Sequence, residues 1–120
     1  MSLHHVALEV APGDRDALVA FFALLGFEEA PLPPSLLGAT RWMERDGLQI
    51  HLLFADDPVA PARGHVAIVE SDYEQALDRL RAAGFAPEPR EEHWGAERCF
   101  VAAPGGHRVE VMAAPPTAAA

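Results

Sequence analysis

Three histidines and one glutamate stand at matching places in two similar stretches of this 120-residue chain. His5 lies in His4-His5-Val6-Ala7-Leu8-Glu9-Val10, and His65 in Gly64-His65-Val66-Ala67-Ile68-Val69-Glu70. His51 ends Asp46-Gly47-Leu48-Gln49-Ile50-His51, and Glu110 ends Gly105-Gly106-His107-Arg108-Val109-Glu110. His5 and His51 are 46 positions apart, and His65 and Glu110 are 45 apart. A lone strand histidine is ordinarily a half-buried side chain with a hydrogen-bond partner. Recurrence at equivalent positions of a duplicated pattern points instead to a shared task. Neutral imidazole nitrogens and a carboxylate oxygen suit a divalent Fe, Mn, Ni, Co or Zn ion. His5, His51, His65 and Glu110 are therefore the candidate metal ligands.

The elements that must position them follow from periodicity. In 3–10, Val6, Leu8 and Val10 alternate with His5, Ala7 and Glu9, the pattern of a strand with one apolar face. Asp14 is an N-cap candidate, and Leu18, Phe21, Phe22 and Leu25 fall on one helical face before Gly26. A short edge segment from Phe27 leads into a proline-rich loop to Gly38. Asp46-Gly47 is the strongest two-residue hairpin signal, and as the turn it pairs Trp42 with His51. The second half repeats the plan. Ser71 to Glu74 has capping-box spacing, Tyr73, Leu77 and Leu80 mark a helix face, and Gly84 ends it. A polar loop runs to Gly95, followed by strands over 98–102 and 108–112, with Val109 and Val111 on the face opposite Glu110. In each strand the candidate ligand lies opposite the aliphatic set. If those sets pack under the helices, all four ligands project from the other, concave sheet face.

The expected fold is α+β, with two tandem βαβββ modules: module one over 3–54, a linker over 55–63, module two over 64–112, and a disordered tail over 113–120. One domain of this length can bury a real core. A formal net charge of -9, with nine arginines and no lysine, argues against nucleic acid and against anionic membrane surfaces, and removes Schiff-base chemistry. The single cysteine, Cys99, excludes an internal disulfide. With no apolar run of membrane-spanning length and no leader pattern, the expectation is a soluble cytoplasmic protein acting on a small molecule.

Other polar and aromatic residues divide less sharply. His4 falls on the helix-packing side and reads as a boundary residue; His107, after a Gly-Gly turn, reads as exposed. His93 lies in a polar loop, a solvated histidine or one that swings toward a site. Trp42 and Trp94 are the better candidates for lining an apolar pocket, with Phe100 also available and Arg98 to neutralise an anionic substrate.

Paired βαβββ modules, a histidine on each first strand, and Glu110 in Pro104-Gly105-Gly106-His107-Arg108-Val109-Glu110 resemble the vicinal oxygen chelate superfamily. That superfamily includes glyoxalase I, methylmalonyl-CoA epimerase, fosfomycin-resistance enzymes, extradiol dioxygenases and the bleomycin-resistance binding proteins. The resemblance covers residues 3–112. It implies a glyoxalase-like fold, a divalent metal on His5, His65 and Glu110, a homodimer, and isomerase, lyase or dioxygenase chemistry on a substrate with vicinal oxygens. His51 stands where many glyoxalases carry Glu and the epimerases Gln; it is read as fourth ligand or proton shuttle, and His51 and Glu110 are the catalytic candidates. Phe100 replaces the tyrosine that extradiol dioxygenases carry. The alternative is a non-catalytic protein that sequesters a ligand in an aromatic groove.

Overall fold

The computed structural model describes residues 1–117, so the last three positions of the expected tail lie outside the described residues. The chain is α+β and divides into two compact units, Met1–Ala60 and Pro61–Ala120, a boundary that falls within the segment 55–63.

The first unit runs β1 (His5–Val10), a 3-10 turn (Pro12–Asp14), α1 (Arg15–Ala23), β2 (Glu28–Ala30), a second 3-10 turn (Pro34–Leu36), β3 (Thr40–Arg45) and β4 (Leu48–Phe54). Its sheet has the order β1-β4-β3-β2. β1 and β4 pair in parallel, which requires the long crossover through α1; the remaining pairs are antiparallel. Leu18, Phe21, Phe22 and Leu25, the apolar stripe of α1, are buried with Val10, Met43, Ile50 and Leu52 from the strands. Asp46 (φ 51°) and Gly47 (φ 81°) are both left-handed, the two-residue turn whose twist matches the strands it joins. That turn sets the register in which Trp42 faces His51. β2 is one of the two edge strands, and the prolines that follow it cannot donate to a ladder.

The second unit runs β5 (His65–Val69), α2 (Tyr73–Ala82), β6 (Glu88–Arg90), β7 (Arg98–Ala102), a 3-10 turn (Pro104–Gly106) and β8 (Arg108–Met112), with sheet order β5-β8-β7-β6. β5 and β8 are parallel in a register that repeats the first unit: Ala67 faces Glu110 as Ala7 faces His51, and Phe100 faces Glu110 as Trp42 faces His51. Tyr73, Ala76, Leu77 and Leu80 are buried with Cys99, Val101, Val109 and Val111. No helix among the described residues is long and apolar enough to cross a membrane.

Four local expectations need correction. The polar loop after Pro87 contains β6, an edge strand in which Pro89 lies opposite Cys99; proline is tolerated because an edge strand needs bonds on one side only. The N-cap of α2 is Asp72 rather than Ser71, and neither Asp72 nor Asp14 makes a side-chain capping bond. His107 is 4% exposed, because the turn folds its ring inward while its carbonyl accepts from the Ala103 N–H at 2.8 Å. The tail is tied down where it begins: the Ala113 N–H donates to the Glu97 carbonyl and the Trp94 indole N–H to the Ala114 carbonyl, each at 2.9 Å.

Candidate metal and acid–base site

In the first unit, strand alternation and register place His5, Ala7, His51 and Trp42 on one sheet face, since directly opposed residues point the same way. The rings then pack as a column. His5 stacks on His51 with centroids 3.9 Å apart and planes 12° apart, and His51 stacks on Trp42 at 4.4 Å and 12°. His51 is 8% exposed, and its Nε2 lies 2.8 Å from Gln49 Oε1; the Gln49 amide nitrogen reaches Glu44 Oε1 at 3.5 Å. The amide thus accepts from the imidazole and donates to the carboxylate, which fixes the ring's orientation. Burial lowers the pKa of His51, and the neighbouring His5 and His4 charges lower it further. A neutral ring near pH 7 is the form that binds a metal or takes up a proton.

His4 joins this group, against the sequence expectation. Its Nδ1 lies 3.0 Å from His5 Nδ1, its ring is edge-on to His5 at 5.2 Å, and it is 6.2 Å from the His51 ring. One ligand atom from each of His4, His5 and His51 falls within 4.8 Å of the others. β1 starts at His5, so His4 lies outside the pleat and strand alternation does not govern its ring. The His4-His5 doublet was the available signal.

In the second unit the same register brings His65 to Glu110. His65 Nδ1 donates to the Arg63 carbonyl at 2.9 Å, and Nε2 lies 2.9 Å from Glu110 Oε1. With Nδ1 committed to a carbonyl, Nε2 and Oε1 are two acceptors that only a shared proton, or a cation in its place, can hold together. A backbone carbonyl behind the ring is the usual partner of a metal-binding imidazole, so the donor set fits a divalent ion. Glu110, 6% exposed, is completed by the Arg98 Nη1 donating to Oε2 at 3.1 Å. Arg98 is itself held by the Glu91 carbonyl at 2.8 Å and lies 5.8 Å from the Phe100 ring.

Phe100 meets His65 edge-on at 4.9 Å, and the Arg108 guanidinium lies over its face at 4.1 Å. The predicted residues therefore assemble in two groups, His5, His51 and Trp42 in one unit, and His65, Glu110, Arg98 and Phe100 in the other. Trp94 is joined to the latter group by Arg98, 5.8 Å from its ring, but its indole N–H is already spent on Ala114. His93 is exposed, its ring 6.5 Å from that of Trp94.

Residues 2–111 match the family model described as the Glyoxalase/Bleomycin resistance protein/Dioxygenase superfamily. Among solved structures, the chain is similar to a Bacillus anthracis protein described as of the glyoxalase family, with TM-score 0.83 and 22% identity over 93% of each chain. A protein from Bacillus cereus described as a possible glyoxalase shares 29% identity, with TM-score 0.69 over 93% of this chain and 98% of that one. The fosfomycin resistance protein FosX from Listeria monocytogenes shares 21%, with TM-score 0.75 over 95% and 91%. At such identities the first and third likenesses concern the fold. No curated protein matches the chain.

Proposed function

Because the chain belongs to the Glyoxalase/Bleomycin resistance protein/Dioxygenase superfamily, we propose that it is a metal-dependent enzyme acting on a small substrate with two neighbouring oxygens. The candidate ligands are His5 and His51 in the first unit and His65 and Glu110 in the second. The observation that carries this reading is the His65 Nε2 to Glu110 Oε1 pair at 2.9 Å, backed by the Arg63 carbonyl. Its counterpart in the other unit is the His5–His51 stack. A bound divalent ion supplies Lewis acidity to the substrate oxygens.

The protein's own residues do the rest. His51, neutral near pH 7 and oriented by Gln49, accepts and returns a substrate proton if it is not itself bound to the ion. Arg98 holds one oxygen of Glu110 so that the other faces His65. Trp42 covers one face of His51 and excludes water from it, and Phe100 meets His65 edge-on. Trp42 in the first unit, and Trp94, Phe100 and Arg98 in the second, are the candidate substrate contacts. Isomerase, lyase and dioxygenase chemistry all suit such residues.

One observation favours a second reading. Glu110 is already satisfied by His65 and Arg98, as it would be in a ligand-sequestering protein that binds no metal. A screen of hemithioacetals, epimerisable thioesters and catechols, the last with oxygen uptake as readout, separates the two. Turnover abolished by chelator, restored by added ion and absent in Glu110→Ala supports the enzyme. Turnover indifferent to chelation refutes metal dependence, and tryptophan quenching by ligands without any turnover supports the sequestering protein.

A further inference from the structure

We propose that His4, His5 and His51 form a metal-binding site complete within the first unit, with His4 as a ligand that the duplicated pattern does not supply. The site needs neither His65 nor Glu110. The residue before His65 is Gly64, whereas the residue before His5 is His4, so the third imidazole is an addition to one unit only.

The backbone of β4 holds His4 in place. The Gln49 N–H donates to the His4 carbonyl at 2.8 Å, which anchors His4 beside β4, two residues from His51. Lying one residue before the strand, His4 turns its ring onto the face that His5 and His51 share. The 3.0 Å between the Nδ1 atoms of His4 and His5 is close to the roughly 3.3 Å that separates two nitrogens on a tetrahedral zinc ion. The three ligand atoms lie within 4.8 Å of one another, and His51 is braced from behind by Gln49 and Glu44. Two of the three rings are exposed, so an ion can reach the site directly.

The donor chemistry selects the ion. Three imidazole nitrogens without a carboxylate suit Zn(II), Co(II), Ni(II) and Cu(II), and disfavour Mg(II) and Ca(II), which demand oxygen. Three protein ligands also leave a coordination position open to water or a small anion.

The test uses the full chain without an affinity tag, stripped of metal and titrated calorimetrically with Zn(II), with Co(II) absorption as a second signal. The double variant His65→Ala/Glu110→Ala is expected to keep one ion per chain. Adding His4→Ala to it should weaken binding at least about tenfold, the smallest loss that even an outer partner of a metal ligand causes. Loss of all binding in the double variant, or unchanged affinity on adding His4→Ala, overturns the proposal.

Should the double variant fail to fold by circular dichroism, ring resonances of the unmutated chain decide. A His4 signal, identified by its absence in His4→Ala, must shift with the first equivalent of Zn(II); an unmoved signal overturns the site. Binding that needs Glu110 and not His4 would leave the ligand role of Glu110 standing and remove this proposal. Absence of binding in every form removes both.

Discussion

Glu110 illustrates how a single buried carboxylate is made tolerable. Its two oxygens are met by an imidazole and a guanidinium, at 2.9 and 3.1 Å, so no charge is left facing apolar surroundings. Arg98→Ala strips one oxygen of its partner while leaving His65 in place. The expected cost is about 1–3 kcal/mol, read as a lower urea midpoint at unchanged slope. Glu110 and its partners His65 and Arg98 were all legible as candidates, because strand parity and duplication pointed to the first two. The bond between Arg98 and Glu110 was not legible, since it depends on which residue of β7 lies beside which residue of β8. His4 and His107 were misread for a related reason. Parity speaks only for residues inside a strand, and both stand just before one.

Elements were read best where one physical signal dominated. The α1 stripe and the Asp46-Gly47 turn are such cases, and the turn alone fixed the pairing of Trp42 with His51. β6 was missed because its evidence is tertiary: three residues including a proline become a strand only by adding to β7. Gly26 ends α1 at φ 85°, where a Cβ would also come within 3.4 Å of the Arg45 side chain that donates to the Leu25 carbonyl. Gly26→Ala should therefore cost about 1–2 kcal/mol, the penalty for a left-handed residue with a Cβ, and lower the melting temperature.

Between α2 and β7, burial pushes up the pKa of both the Cys99 thiol and the Tyr73 hydroxyl, which are hydrogen-bonded to each other. The folded state keeps these protons while the unfolded chain releases the thiol proton near its ordinary value of 9.0. Their contribution is thus complete below that pH and is lost as pH rises above it. Urea midpoints should fall from about pH 9 upward, and Cys99→Ala, though less stable at pH 7, should show a shallower fall. Equal slopes in both proteins would contradict this account.

At the scale of the whole chain, duplication was the most legible property. Two units with the same strand order and the same register carry histidine at the same place on β1 and β5, and a ligand-type side chain at the same place on β4 and β8. They diverge around those positions: Thr40, bonded to the Leu52 carbonyl, occupies in one sheet the place that Arg98 takes in the other. One unit is thereby furnished with stacked rings and the other with a carboxylate beside a guanidinium, a division of labour that a repeat alone does not reveal. His5 is common to the proposed metal ligands of the first unit, with His51 alone or with His4 as well. Elemental analysis of untagged protein purified without chelator, beside His5→Ala, tests metal binding most directly. About one Fe, Mn, Co, Ni or Zn per chain, lost in the variant while its circular dichroism is unchanged, is the predicted result. Metal-free protein that takes up none of these ions on addition, or a His5→Ala variant that retains its full complement, would contradict it.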